Sequence, residues 1–249
     1  MKVIILAGGA GSRLGEITKV IPKPLVKVGN FPILIYVMKI YLNYGVNDFV
    51  IALGYKGEKI VEYFTKKKIN IKIKKQLKFG FKYKTKLFKK NCSITFLDTG
   101  QKTMTGGRLK RAAKIFKENF FYLTYGDGLS NINIKGLTKF HFSKNKLVTV
   151  TAVRPPARFG ELKIKNNYVS SFSEKKPITT SWINGGFFII NRAFLSFIKN
   201  DSSILEQHPL EKAAKIGQLS AYKHKKFWQC MDTKRDRDKL NKILKKKII

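Results

Sequence analysis

Apolar runs of strand length alternate with amphipathic stretches of helical length along most of the chain. Residues 3–7 and 48–55 are rich in β-branched side chains and Leu, which is typical of strands buried in a parallel sheet. Residues 32–45 and 106–120 carry apolar side chains at the spacing of one helix face. Strands and helices that alternate in this way form βαβ units. The pattern therefore predicts an α/β fold with a mostly parallel, mixed sheet flanked by helices.

The regular alternation of strand and helix patterns ends after residue 154. Residues 161–174 alternate polar and apolar positions around Asn166 and Asn167, which predicts a β-hairpin. Residues 66–90 combine dense positive charge with weak periodicity, so we expect a loop or flap there. We interpret residues 1–249 as a single domain, with parts at 1–150 and 151–249. Further strands are predicted at 93–99, 120–128, 146–154 and 181–190, and further helices at 58–68, 133–144, 209–217 and 236–247.

The composition is that of a folded protein without a membrane-spanning segment. Apolar residues make up 43% of the chain and aromatic residues 12%, which excludes the disordered class. The apolar runs are all shorter than the roughly 18 residues that a transmembrane helix needs, and the first run ends too early for a secretory signal. We therefore expect a cytoplasmic protein in which Cys92 and Cys230 are unpaired thiols without a role.

The charge is strongly positive, with 51 Lys and Arg against 15 Asp and Glu, a formal net charge of +36. Such an excess raises the hypothesis of a polyanionic partner. The lysines are nevertheless dispersed, and together with the many Ile, Asn and Phe residues they match what AT-biased coding produces. We therefore interpret most of them as solvated surface residues, and predict neither a specific nucleic-acid partner nor a membrane partner.

A glycine-rich turn directly follows the first predicted strand. Gly8, Gly9 and Gly11 permit a tight backbone course. They do not fit the dinucleotide fingerprint, because Leu14 stands at its third glycine position, and they do not fit the P-loop, because Gly11-Ser12-Arg13 differs from its closing G-K-S/T. A turn at a helix start, followed by Arg13 and Lys23, suits a triphosphate because amides and cations both face phosphate oxygens. The residues alone leave open a plain glycine turn with surface cations.

Six motifs follow one another along the chain. They are LAGGAGSRL with IPKPLV near the N-terminus, DTGQKTMTGGRLKR (98–111), TYGDGLSNINI (124–134), TAVRPPARFGEL (151–162), SWINGGFF (181–188) and FWQCMDTKRD (227–236). In this order they resemble the sugar-1-phosphate nucleotidyltransferase family, and within it the glucose-1-phosphate cytidylyltransferases. The resemblance implies a Rossmann-like nucleotidyltransferase fold of the glycosyltransferase-A-like type. It implies CTP and glucose 1-phosphate as substrates, Mg²⁺ as cofactor and a closed homo-oligomer.

The resemblance also implies roles for individual residues, with Arg13 and Lys23 as the catalytic cations. Asp127 and Asp232 would hold the metal, and Asp127 follows a predicted strand, where open α/β sheets bind ligands. The nucleotide would be bound by Leu6, Gly8, Gly9, Gly11, Ser12, Arg13, Lys23, Thr105, Gly106, Gly107 and Arg108. The sugar phosphate would be bound by Asp127, Gly160, Glu174, Lys175, Asn184 and Gly185.

One departure from the family pattern concerns the sugar side. The family usually has a Glu-Lys-Pro turn, whereas this chain has Glu174-Lys175-Lys176-Pro177, so Lys175 and Lys176 both stay candidates for the sugar phosphate.

The implied reaction needs no general base. A phosphate oxygen of the sugar phosphate is already an anion, so alignment and charge neutralisation at the α-phosphorus determine the rate. His141, His208 and His224 therefore receive no catalytic role. Two alternatives stay open: another enzyme of the family, such as a mannose-1-phosphate guanylyltransferase, and a polyanion-binding protein on an inactive nucleotidyltransferase fold.

Overall fold

A central eight-stranded sheet organises the protein in a computed structural model that describes residues 1–66, 71–155, 161–173 and 181–245. The strands are β1 (Val3–Ala7), β2 (Lys27–Val28), β3 (Phe31–Pro32), β4 (Asp48–Leu53), β5 (Phe81–Leu87), β6 (Lys90–Asp98), β7 (Phe120–Tyr125), β8 (Gly128–Ser130), β9 (Val148–Val153), β10 (Glu161–Lys165), β11 (Tyr168–Ser173), β12 (Ile183–Asn191), β13 (Leu219–His224) and β14 (Trp228–Cys230).

Helices connect and cover these strands. They are α1 (Glu16–Val20), α2 (Ile33–Leu42), α3 (Gly57–Thr65), α4 (Ile71–Leu77), α5 (Thr105–Ala113), α6 (Ile134–Lys144), α7 (His208–Lys215) and α8 (Lys234–Lys245), with short 3₁₀ turns at Ser12–Leu14, Lys23–Leu25 and Arg192–Phe197. Within the described ranges, no helix is long and apolar enough to cross a membrane.

The strand order of the main sheet is β13-β9-β12-β7-β1-β4-β6-β5. Strand β1 pairs in parallel with β4 and β7, and β4 with β6, whereas β12 is antiparallel to both of its neighbours and β5 is antiparallel to β6. Such a mixed, mostly parallel sheet confirms the predicted fold class. Three small two-stranded sheets, β10-β11, β8-β14 and β2-β3, lie beside it.

The core has two layers because β1 is buried on both faces. One set of its side chains, including Ile5, packs with α2 and α3, and the alternate set, including Ile4, packs with α5 and α7. Strand β1 is therefore apolar at every position, as the sequence pattern predicts for a strand covered on both sides.

Residues 66–90 are not the predicted loop or flap. Apart from 67–70, which lie outside the described residues, they form α4 and the edge strand β5. In β5 the half-buried Phe81 and Tyr83 alternate with the exposed Lys82 and Lys84. This is the period of a half-buried strand, so the prediction was wrong because charge was given more weight than alternation.

The hairpin predicted at 161–174 is confirmed as β10 and β11, with Asn166 and Asn167 in the left-handed region at φ 46° and 65°. Asn adopts that conformation more readily than most residues, which explains why the turn falls there. The assignment of residues 1–249 to one domain stays a prediction.

Candidate active site

The glycine-rich turn follows β1 and is held by hydrogen bonds from the segment after β4 and from α5. The carbonyl of Gly8 accepts hydrogen bonds from the Tyr55 N–H (3.1 Å) and from the Arg108 guanidinium (3.1 Å). Gly11 has φ +66°, and a Cβ there would lie 2.8 Å from the Cβ of Lys23. The turn thus needs glycine at this position both for its backbone conformation and for its contact with the lysine.

An ion cluster lies beside this turn. The Lys23 ammonium is 2.6 Å from a carboxylate oxygen of Asp127 and 2.6 Å from one of Asp232, and Arg13 is 2.9 Å from the second oxygen of Asp232. The Lys23 side chain is only 12% exposed, whereas that of Arg13 is 72% exposed. The cluster therefore brings both predicted cations and both predicted metal ligands together.

The pKa values in this cluster follow from burial and neighbouring charge. Burial alone lowers the pKa of Lys23, but the carboxylates of Asp127 and Asp232 outweigh it and hold that pKa above its usual value. Lys23 is consequently a cation at neutral pH. Burial, together with the same two carboxylates, raises the pKa of the Cys230 thiol to about 12. Cys230 therefore stays a neutral thiol in the cleft wall.

Local structure fixes the two aspartates. Asp127 lies in the short connection between β7 and β8, and its carbonyl accepts a hydrogen bond from Met231 N–H (2.9 Å). Asp232 precedes a capping box at the start of α8: Thr233 Oγ1 accepts from Asp236 N–H (3.2 Å), and the Asp236 carboxylate accepts from Thr233 N–H (2.9 Å). The Asp232 N–H also donates to Asp236 (3.2 Å), which orients Asp232 toward Lys23.

Arg108 is a buried support for the turn. Its guanidinium donates to the carbonyls of Leu53 (2.8 Å), Gly8 (3.1 Å) and Gln101 (3.1 Å) and to Thr99 Oγ1 (2.7 Å). A Cβ on Gly8 would collide with this guanidinium, and so would one on Gly54. Arg108, predicted to bind the nucleotide, therefore lies beneath the glycine turn and ties it to the ends of neighbouring strands.

The sugar-side asparagine projects from an irregular part of β12. The pairing of β12 with β9 shifts register between Asn184 and Phe188, and Gly186 in this interval has φ +80°. Asn184 Oδ1 accepts from Gly186 N–H (2.8 Å), and its Nδ2 donates to Tyr125 OH (3.2 Å). Both ends of the Asn184 amide are thus oriented by the protein.

These groups surround one cleft of about 1410 Å³. It lies at the carboxyl ends of the parallel strands β1 and β7, where open α/β sheets bind ligands. Many of the predicted site residues line it: Leu6, Gly8, Gly9, Gly11, Arg13, Lys23, Thr105, Arg108, Asp127, Asn184 and Asp232. The volume is ample for a nucleotide and a sugar phosphate together.

Comparison with known proteins identifies the family. The family model described as Nucleotidyl transferase matches residues 2–235. The chain is 43% identical to a glucose-1-phosphate cytidylyltransferase of Salmonella typhimurium over 95% of this chain and 93% of that protein. It is 38% identical to a probable glucose-1-phosphate cytidylyltransferase of Bacillus subtilis over 98% and 96%.

The chain belongs to the nucleotidyl transferase family. The predicted resemblance to glucose-1-phosphate cytidylyltransferases is thereby confirmed. Among solved structures, HddC from Yersinia pseudotuberculosis superimposes with a TM-score of 0.72 at 25% identity, covering 98% of this chain and 99% of that one. A mannose-1-phosphate guanyltransferase of Aspergillus oryzae is 29% identical over 97% of this chain but only 63% of its own length.

Some predicted residues of this nucleotidyl transferase lie elsewhere. Gly106 and Gly107 do not line the cleft: their N–H groups donate to the Ser203 carbonyl (2.9 and 3.3 Å). Gly185 packs against β9, and its carbonyl accepts from Trp228 Nε1 (2.7 Å). Ser12 is in the 3₁₀ turn beside Arg13 and is not part of the cleft lining. The predicted sugar-side residues Gly160, Glu174 and Lys175, with the alternative Lys176, lie outside the described residues.

Several residues that line the cleft were missed by sequence reasoning, and two of them contact each other. Tyr125 and Glu206 both line the cleft, and the Tyr125 hydroxyl donates to the Glu206 carboxylate. Glu206 belongs to no motif that the sequence analysis singled out, and only the fold brings it to Tyr125. By contrast, Thr233 and Asp236 have the spacing of a capping box, which could have predicted the start of α8.

We expect Arg108→Met to destabilise the folded nucleotidyl transferase. The variant removes four hydrogen bonds of a buried cation, so the free energy of unfolding should fall by about 2–4 kcal/mol, and the looser glycine turn should raise KM for the nucleotide. The matched control is Arg111→Met in the same helix, whose exposed ion pair with Asp201 is worth at most about 1 kcal/mol. Urea unfolding measures both, and equal losses would contradict a supporting role for Arg108.

Proposed function

We propose that the protein transfers a cytidylyl group from CTP to glucose 1-phosphate, giving CDP-glucose and pyrophosphate. The observation that carries this proposal is the cluster of Arg13, Lys23, Asp127 and Asp232 beside the glycine turn. An intact set of cations and carboxylates in a large cleft favours an active enzyme over an inactive polyanion-binding fold. The names of the relatives at 43% and 38% identity support the choice of CTP and glucose 1-phosphate.

The reaction is an in-line substitution at the α-phosphorus of CTP. An oxygen of the sugar phosphate forms the new bond to the α-phosphorus. The bond from the α-phosphorus to the oxygen that bridges it to the β-phosphorus breaks, and pyrophosphate leaves. The nucleophile carries its charge before the reaction, so the protein has to orient two anions against each other and offset the repulsion between them. Arg13 and Lys23 supply the cations for this purpose, with Arg13 exposed at the cleft and Lys23 held behind it.

Asp127 and Asp232 are the proposed ligands of Mg²⁺. Mg²⁺ prefers one or two carboxylates together with phosphate oxygens and water. These two side chains fit that donor set, because both contact the same ammonium and are 26% and 17% exposed in the cleft. Among the side chains in the described parts of the chain, no three His, Cys, Asp or Glu residues form a metal-binding cluster, so the substrate would complete the coordination. When bound, the metal supplies charge neutralisation at the phosphates.

Lys23 has a second task in this arrangement. Its ammonium lies between the two carboxylates and offsets their mutual repulsion. The lysine stem is long and flexible, so the Lys23 ammonium would reach the phosphate oxygens of a bound nucleotide from its place beside the aspartates. The same residue then neutralises acidic groups of the protein before binding and phosphate oxygens afterwards.

The substrate assignment is tested with a pyrophosphate-release assay. CTP, UTP, dTTP, GTP and ATP are each combined with glucose 1-phosphate and with mannose 1-phosphate. We expect a clear preference for CTP with glucose 1-phosphate, and the product should be CDP-glucose by mass. Equal or faster turnover of GTP with mannose 1-phosphate would favour the guanylyltransferase alternative. No turnover, together with salt-sensitive binding of DNA or RNA, would favour the polyanion-binding alternative. The cytoplasmic location and the homo-oligomer stay predictions.

A further inference from the structure

A chain of hydrogen bonds crosses the cleft wall from the predicted nucleotide side to the predicted sugar side. Thr105 Oγ1 donates to one carboxylate oxygen of Glu206 (2.7 Å), and the Tyr125 hydroxyl donates to the other. Asn184 Nδ2 then donates to the Tyr125 oxygen (3.2 Å). Thr105 also accepts a hydrogen bond from Leu205 N–H (2.9 Å), which fixes its hydroxyl. All four side chains in this series of hydrogen bonds line the cleft.

The direction of these hydrogen bonds is determined by charge. Burial, assisted by the Glu206 carboxylate, raises the pKa of Tyr125, so its hydroxyl keeps the proton and donates it to Glu206. The Tyr125 oxygen can then only accept from its other neighbour, Asn184. The side-chain oxygen of Asn184 has its own partner, because it accepts a hydrogen bond from Gly186 N–H (2.8 Å). The amide of Asn184 is therefore held with its NH₂ group toward Tyr125.

One hydrogen of that NH₂ group stays available for a ligand. The group has two donors, and within the described part of the chain Tyr125 is its only hydrogen-bond acceptor. A sugar phosphate offers hydroxyl and phosphate oxygens, which are acceptors. A fixed donor binds such an oxygen without first losing rotational freedom of the side chain, which makes it a stronger and more selective contact.

We propose that Tyr125 and Glu206 are positioning residues for the sugar phosphate, which act by fixing the amide of Asn184. Neither residue needs to touch the reacting atoms. Since Glu206 is shared with Thr105, the sugar-side donor is also connected to the start of α5 on the nucleotide side. This inference rests on the proposed sugar-phosphate substrate. The assignment of Asn184 to the sugar side is itself a prediction from the resemblance.

The decisive variant is Tyr125→Phe, which removes one hydroxyl and keeps the ring against Phe188. We expect KM for glucose 1-phosphate to rise about three- to tenfold, as for one lost neutral hydrogen bond, with kcat and KM for CTP within about twofold of wild type. The matched control is Tyr122→Phe on the same strand, whose hydroxyl pairs with Thr138 outside the cleft lining (2.6 Å). That variant should leave both KM values unchanged.

A double-variant cycle separates positioning from general loosening. Tyr125→Phe should have almost no further effect on KM for glucose 1-phosphate when Asn184 is already replaced by Ala, because the two act through one donor. Glu206→Gln keeps the size of the side chain but leaves one acceptor oxygen for the two hydroxyls, of Thr105 and Tyr125, that donate to Glu206. Its effect on the same KM should therefore lie between wild type and Tyr125→Phe.

Two results would overturn the inference. If wild type turns over glucose 1-phosphate and Tyr125→Phe leaves its KM unchanged, or raises KM for CTP equally, the positioning role is wrong while the proposed function stands. If wild type turns over no sugar phosphate at all, the proposed function fails and the positioning role fails with it.

Discussion

Asp127→Asn and Asp232→Asn should each lower kcat by about a thousandfold or more, because each removes one of the two proposed anionic ligands of Mg²⁺. The Mg²⁺ concentration at half-maximal activity should rise in both. Both aspartates contact Lys23 at 2.6 Å, but Asp232 also pairs with Arg13 (2.9 Å), so Asp232→Asn should be the more damaging change. The measurement is a Mg²⁺ titration of turnover for both variants beside wild type.

The double variant distinguishes one shared metal from two separate effects. Residues that serve one ion are not additive, so the double variant should be little worse than Asp232→Asn alone. Asp238→Asn is the matched control, because this carboxylate is 57% exposed on α8 and pairs with Arg237. Multiplicative losses with an unchanged Mg²⁺ midpoint would show that the two aspartates do not share a metal.

Lys23→Met and Arg13→Ala should each remove about 2–4 kcal/mol of transition-state stabilisation, by analogy with the loss of one preorganised donor. Their effects on folding should differ. Lys23 is nearly enclosed between two carboxylates, so Lys23→Met leaves these anions facing each other and should lower the unfolding temperature. Arg13 is largely exposed, so Arg13→Ala should leave that temperature almost unchanged. Thermal unfolding and kcat/KM, measured on the same preparations, test both statements.

Mg²⁺ alone provides a second measurement on Lys23→Met. Without the ammonium, the two carboxylates should bind the metal more tightly, so adding Mg²⁺ should raise the unfolding temperature of the variant more than that of wild type. Lys19→Met is the control, since Lys19 is 71% exposed and pairs with the nearby Glu16 (2.8 Å) on the same helix. An identical Mg²⁺ response in wild type and Lys23→Met would contradict the place given to Lys23 between the aspartates.

The fold and half of the site could be predicted because their signals are local in sequence. Strand β1 and the glycine turn are contiguous, and their apolar and glycine positions have direct physical meaning. Asp127 was placed by its position after a strand, and the resemblance linked it to Asp232. The ion pair between Lys23 and Asp232 joins residues 209 positions apart, so no periodicity could have predicted it.

What the sequence did not predict has physical reasons as well. The resemblance assigned Arg108 to the nucleotide, and only the structure shows that its buried guanidinium donates to the carbonyls of Leu53 and Gly8. Tyr125 and Glu206 were missed because their meeting depends on how the loop before α7 folds over the end of β7. Strand β5 was missed because its lysines hide an alternation that is otherwise plain.

The edge position of β5 has an evolutionary consequence. Lys82, Lys84 and Lys86 are exposed on a strand at the edge of the sheet that the described residues form, so each adds charge without being desolvated. Under a mutational bias toward lysine codons, lysine substitutions can therefore accumulate in β5 without disturbing the core. Lysines along an open edge also discourage another chain from adding a strand to it. Lys23 is under the opposite constraint, since its neighbours require both its charge and its reach.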